Sequence, residues 1–217
     1  MKTSPVRRIG LMGGSFDPVH AAHVALADEA LRTLALDEVR WIPVGQPWQK
    51  SRQLAPAADR LAMVQAATAH EPRFVVDDLE LRRAGPSYTL DTVRTLQAQA
   101  AEAGLQADWF LIMGQDQYAN FPTWHGWVEL LKRVTLAVAC RGAVAPQAPM
   151  ALQSHPHRQV TLGLPPMDVS STEIRARLDR GEDPLSLAPA LVSPAVARYI
   201  ANHQLYAPRR PNLNGHP

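Results

Sequence analysis

The chain is short of most features that would commit it to an unusual environment. It has a single cysteine, Cys140, in 217 residues. An intrachain disulfide is therefore impossible and a cysteine-based zinc site is disfavoured, which suits a reducing compartment. Charge of one sign is scarce as well: 22 Lys and Arg face 20 Asp and Glu, a formal net charge of +2. No long run of like charges occurs, so no nucleic-acid partner is expected. No apolar stretch approaches the length of a membrane span. The opening MKTSPVRRIGLMGGSF follows its arginines with only a brief apolar run before Gly13-Gly14, too little for a signal-peptide core. A cytoplasmic location without a membrane partner is expected. Internal repeats are absent too.

What is present is an ordinary globular composition, 46% apolar and 19% charged. This length can bury a core without disulfides or a structural metal. Short apolar runs alternate with helical periodicity. Ile9 to Met12, Val39 to Ile42, Phe74 to Val76, Trp109 to Met113, Thr135 to Ala139 and Val160 to Leu162 read as strands. Between them, Val24, Ala27, Leu31 and Leu34 mark one helix face from His23 onward, and Asp59 to Ala69 reads as a second helix. Leu90, Val93 and Leu96 belong to a third, with Ser87 or Thr89 as its cap and an end near Gly104. Trp127 to Leu131, Ser171 to Leu178 and Pro194 to His203 complete the set. Strands separated by helices imply an α/β fold, a Rossmann-like doubly wound parallel sheet with helices on both faces and a small C-terminal helical part. Residues 1–207 form one expected domain, with 142–158 as a surface excursion and 208–217 as a disordered tail.

Four segments carry chemistry. In GGSFDPVHAAH, residues 13–23, glycines after a buried strand let backbone approach a ligand. The helix that follows offers an anion site, and His20 and His23 can face the same anion. The segment is neither a phosphate loop with Gly-Lys-Ser/Thr nor a GxGxxG turn. In VSSTEIRARL, residues 169–178, Ser170, Ser171 and Thr172 can cap a helix, and Arg175 one turn on makes a phosphate clamp with Ser171 and Thr172. GPSYTLDT, residues 85–92, read alone is a turn, a cap and a core tyrosine. Gly114-Gln115-Asp116 places a carboxylate at a strand end, where ribose hydroxyls are commonly bound. Trp124 just beyond either stacks on a flat ring or is core. Cys140, and His155 and His157 in their Pro-rich loop, read as a buried side chain and two solvated rings.

Together these strings resemble bacterial nicotinate-nucleotide adenylyltransferases, within the nucleotidyltransferase superfamily, from about Ile9 to about Tyr206. GGSFDPVHxxH and SSTEIR look like that superfamily's ATP signatures. ELRRAGPSYTLDT and the GQD with FPTW look like the nicotinate-nucleotide family itself. The resemblance implies that His20 and His23 contact the ATP phosphates and stabilise charge during transfer. Gly13, Gly14, Ser15 and Phe16 would line the nucleotide loop, Gly114 and Asp116 would hold the ribose, and Ser171, Thr172 and Arg175 the phosphates. Ser87, Tyr88, Thr89 and Trp124 would surround the nicotinate ring, with Lys50 near the acceptor phosphate. It further implies ATP and nicotinate mononucleotide as substrates and Mg²⁺ as cofactor, held mainly by the ATP phosphates rather than by protein ligands. Two positions depart from the family: Ala22 stands where HxGH has glycine, and Gln49 where histidine is common. Transfer to nicotinamide mononucleotide or phosphopantetheine, an aminoacyl-tRNA-synthetase-like activity and a nucleotide sensor without turnover are the competing assignments.

Overall fold

The computed structural model describes residues 5–46, 53–141 and 146–208. Six strands form one parallel sheet: β1 (Arg7–Gly14), β2 (Glu38–Pro43), β3 (Phe74–Val76), β4 (Ala107–Met113), β5 (Thr135–Arg141) and β6 (Gln159–Leu164). Their order is β3-β2-β1-β4-β5-β6, every neighbouring pair parallel. The chain reverses its direction of winding between β1 and β4. In such sheets a crevice opens there, beyond the carboxyl ends of the strands.

The two-residue period of the strands divides the core. Ile9 and Leu11 of β1 and Trp109, Leu111 and Met113 of β4 point to one face, and Met12, Phe110 and Ile112 to the other. Helices α1 (Ala21–Thr33) and α2 (Ala57–Thr68) cover the second face, through Leu26, Ala27, Ala30 and Leu31 and through Met63 and Val64. Helices α3 (Thr89–Glu102), α4 (Gln115–Asn120), α5 (Trp127–Arg133) and the one-turn α6 (Met150–Gln153) cover the first. Helices α7 (Ser171–Asp179) and α8 (Pro194–His203) return to the α1 face, where Ile174, Leu178, Val196 and Ile200 are buried. The Tyr199 hydroxyl donates to Asp59 at 2.9 Å and ties α8 to α2. On the other face of the sheet, Arg94 of α3 pairs with Glu129 of the neighbouring α5 at 2.5 Å.

Several local expectations need correction. Tyr88 is the N-cap of α3, with no capping hydrogen bond from its side chain, and Ser87 is instead buried at 5% exposure. Of the three cap candidates for α7, Ser170 takes the position as expected, its hydroxyl accepting from the Glu173 amide at 3.1 Å. Residues 146–158 include α6, whose Leu152 is fully buried and anchors the stretch to the core. His155 and His157 are half-buried: His155 packs edge-on to Trp127 at 4.7 Å, and His157 lies 3.4 Å from the Tyr118 hydroxyl. The expected disordered tail falls, from residue 209 on, outside the described residues. No helix of the described residues is long and apolar enough to cross a membrane.

Candidate active site

The site begins where β1 runs out. After Gly13-Gly14 the chain turns through Phe16, which has φ +46° and sends its ring into the core at 1% exposure. That ring lies edge-on to His23, centroids 5.1 Å apart, and against Trp41 at 5.5 Å. The turn is held from below by Arg60 of α2, only 2% exposed. Its guanidinium donates to the carbonyls of Ser15 at 2.9 Å and Ala55 at 3.1 Å. A buried cation is costly unless its donors are spent, and here they fix loop backbone. Asp17, fully buried, accepts from the Tyr206 hydroxyl at 2.7 Å and the Ala55 amide at 3.2 Å. The loop is thus braced by α2 and by the chain just after α8.

His20 is the N-cap of α1 and His23 its third residue. Their rings stack at 3.7 Å with 27° between planes. His23 Nδ1 accepts from the His20 backbone N–H at 3.2 Å. An amide N–H can only donate, so Nδ1 carries no proton and the ring proton resides on Nε2. Burial lowers the His20 pKa to about 4, so this ring is neutral at pH 7. Its Nδ1 is buried and has no hydrogen-bond partner among the described residues. The helix start itself is less open than the sequence suggests. The Ala21 N–H donates to the Leu191 carbonyl at 2.8 Å and the His23 N–H to the His20 carbonyl at 2.9 Å. An anion here would meet imidazole rings more than free helix amides.

Two cavities meet at His23. The larger, about 550 Å³, lies between α1, the end of β4 and the segment after β6. His20, Ala22, Leu26, Gly114, Asp116, Cys140, Met167 and Val169 are among its walls. The smaller, about 340 Å³, opens on the other side of the loop, lined by Gly13, Gly14, Ser15, Glu80, Ser87, Thr89, Trp124 and Ser171 among others. Among the described residues, only His23 and Gln117 border both. The wall of the smaller cavity is a close crossing of three segments. The Ser87 amide donates to the Gln46 carbonyl at 3.1 Å, and a Cβ on Gly45 would lie 2.2 Å from the Glu80 carbonyl oxygen. Only glycine fits at position 45.

Most of the residues singled out from the sequence therefore converge. Gly13, Gly14, Ser15, His20, His23, Gly114, Asp116, Ser87, Thr89, Trp124 and Ser171 line one cavity or both. Trp124 is half-buried beside Phe121, centroids 5.3 Å apart, with part of its ring in the smaller cavity. Four do not reach these cavities. Phe16 is core beneath the loop. Tyr88 packs against His125, rings 4.6 Å apart, outside both walls. Thr172 and Arg175 border a shallow groove beside Tyr206. Arg175 Nη1 donates to the Asp17 carbonyl at 2.6 Å and Nη2 to Thr172 Oγ1 at 3.2 Å, so it braces the loop. Ser171 does likewise, donating to the Pro18 carbonyl at 2.9 Å. Lys50 and Gln49 lie outside the described residues.

Sequence reasoning did not single out Glu80 or Gln117. Glu80 is 7% exposed, accepts from Thr92 Oγ1 at 2.7 Å, and burial raises its carboxyl pKa. Its only signal was membership of the string ELRRAGPSYTLDT. Gln117 directly follows GQD, and nothing in its residue type marks it. Among the described residues no three His, Cys, Asp or Glu side chains gather closely enough to hold a metal ion.

Known proteins similar to this chain agree with one another. Residues 11–177 match the cytidylyltransferase-like family. A probable nicotinate-nucleotide adenylyltransferase of Methylibium petroleiphilum is 53% identical over 97% of this chain and 97% of its own length. Another, from Bordetella petrii, is 45% identical over 93% of this chain and all of its own. In fold, the chain resembles Plasmodium falciparum nicotinic acid mononucleotide adenylyltransferase complexed with NaAD, with a TM-score of 0.75 at 18% identity, covering 92% of this chain and 97% of that one. A glycine-led loop after β1, a crevice at the winding reversal and relatives aligned along nearly the whole chain all point one way: the protein belongs to the cytidylyltransferase-like family, among the nicotinate-nucleotide adenylyltransferases.

Proposed function

We propose that the enzyme transfers the adenylyl group of ATP to nicotinate mononucleotide, giving nicotinate adenine dinucleotide and pyrophosphate. The observation that carries this reading is the pair of cavities joined at His23, one for each substrate. ATP occupies the larger. Its ribose lies against Gly114 and Asp116, and its base passes close to Ala22, whose methyl group borders that cavity. The mononucleotide occupies the smaller, with Trp124 stacked on the pyridine ring and Ser87 and Thr89 around the ring and its carboxylate. Lys50 is assigned to the acceptor phosphate by the resemblance alone.

At the junction, an oxygen of the acceptor phosphate attacks the α-phosphorus of ATP. The new P–O bond forms as the bond from the α-phosphorus to the bridging oxygen breaks, and that oxygen leaves with pyrophosphate. The nucleophile is already an anion near neutral pH, so no general base is required and no covalent enzyme intermediate forms. The protein supplies alignment and donors to the charged oxygens. His23 offers its Nε2–H at the point where both cavities meet, and the neutral His20 ring lies against it. Ser15 and Ser171 lie on the acceptor side. Thr172 and Arg175 are assigned to the triphosphate by the resemblance alone. Mg²⁺ bound with ATP would supply positive charge against the phosphate oxygens, held by those phosphates rather than by a cluster of protein ligands.

The test is product identification. Purified protein with ATP, Mg²⁺ and nicotinate mononucleotide should yield nicotinate adenine dinucleotide and pyrophosphate in equal amounts, and neither when one substrate is omitted. Nucleotide binding without either product would identify a sensor instead.

A further inference from the structure

Gln117 occupies the second position shared by both cavities, and it does so from α4, on the opposite side of the crevice from His23. Its side chain is exposed to the crevice. The Gly114 backbone N–H donates to Gln117 Oε1 at 3.3 Å. That contact settles which end of the amide is which. A backbone N–H has no lone pair to offer, so the atom facing it is the carbonyl oxygen, and the NH₂ group is turned away from Gly114. Gly114 also lines the larger cavity, so the bond pins the side chain at the cavity wall. At the junction, then, one amide turns its carbonyl oxygen to Gly114 and directs its two N–H donors elsewhere. The species that meet there are a phosphate monoester and a triphosphate, both rich in acceptor oxygens.

We propose that Gln117 is a substrate-binding residue that donates from Nε2 to the phosphate oxygens of both substrates where the acceptor meets the α-phosphate. It faces His23 across the reacting atoms, so the two side chains bracket the phosphates with a donor on each side. This assignment rests on the adenylyl-transfer reading above. A glutamine suits the role physically. Unlike serine, it can satisfy Gly114 and reach the ligand with the same group.

Two substitutions separate donation to substrate from mere support of Gly114. Gln117→Glu keeps length and an acceptor oxygen for the Gly114 N–H but replaces the NH₂ donor by a carboxylate oxygen. Gln117→Leu keeps similar bulk and removes donor and acceptor together, without charge. If Gln117 donates to the phosphates, Gln117→Leu lowers kcat/KM for each substrate by about tenfold, the size expected for a lost bond to a charged group. Gln117→Glu then lowers it further, by about a hundredfold, while its Tm stays at the wild-type value. If the side chain only supports Gly114, the order reverses: Gln117→Glu retains wild-type kinetics and Gln117→Leu alone is impaired. That ranking, or two variants both at the wild-type rate, overturns the proposal. The wild-type assay run beside them separates the two levels of inference. A wild type that forms no dinucleotide removes the reaction and this role with it, whereas an active wild type with a fully active Gln117→Glu removes only the role of Gln117.

Discussion

His20 and His23 differ more in environment than their shared motif suggests. With a folded pKa of about 4 against 6.5 for the free side chain, His20 prefers the neutral form in the native state. Between pH 6.5 and 4 the unfolded chain therefore binds the proton that the folded chain does not, and stability falls as pH drops through that window. Below about pH 4 both states are protonated, and the loss levels at about 3 kcal/mol. Urea denaturation of the ligand-free protein at pH 7 and pH 4.5 should show this loss, and His20→Gln should remove most of it. Equal pH dependence in the two proteins would show that His20 is not desolvated. His23 makes a different prediction. In the proposed reaction the ring at the junction of both cavities donates to the developing charge, so His23→Ala should lower kcat by about a hundredfold. A kcat near the wild-type value, with only KM raised, would assign it to ground-state binding instead. The motif was legible in the sequence because glycines and paired histidines have few other reasons to stand together. Gln117 and Glu80 were not, since a glutamine on a short helix and a glutamate in a charged string acquire meaning only from the crossing of distant segments.

Among the elements, the strands were the most readable. All six pair in parallel, so their apolar runs are covered on both faces and stand out without alternation. Boundaries moved by a residue or two, as with β6, which runs Gln159–Leu164 around the expected Val160 to Leu162. The short α4 and α6 went unread because six and four residues cannot establish a helical period. Capping failed for a tertiary reason: Ser87 is drawn under the Gly45 crossing and faces Glu80, leaving Tyr88 at the cap. That crossing can be tested directly. A methyl group at position 45 would sit 2.2 Å from the Glu80 carbonyl oxygen, a contact with backbone that no rotamer relieves. Gly45→Ala should destabilise the fold by about 2 kcal/mol or more, read as a lower urea midpoint at unchanged m-value. It should also raise KM for the mononucleotide more than for ATP, since only the smaller cavity has Glu80 and Ser87 in its wall. Unchanged stability would mean that the two segments separate easily.

For the whole molecule, the sheet order and the meeting of the two cavities are properties of the assembled chain. Neither can be read from any one segment, because the crevice depends on β1 lying beside β4, whose paired residues stand 100 positions apart in sequence. The same distance explains the phosphate clamp. From spacing alone Arg175 faces a ligand, but in the fold its guanidinium reaches the Asp17 carbonyl and helps tie the end of the chain to the loop near its start. What the assembled molecule adds to the motifs is a second cavity with an aromatic wall, Trp124, and polar side chains suited to one acceptor. The direct test of that claim is to compare kcat/KM for nicotinate and nicotinamide mononucleotides, each at saturating ATP and Mg²⁺. A carboxylate bound by hydrogen-bond donors should favour the nicotinate substrate by about tenfold to a hundredfold, the worth of one charge-assisted hydrogen bond. Equal rates, or a faster reaction with the nicotinamide form, would contradict the assignment of the smaller cavity to nicotinate mononucleotide.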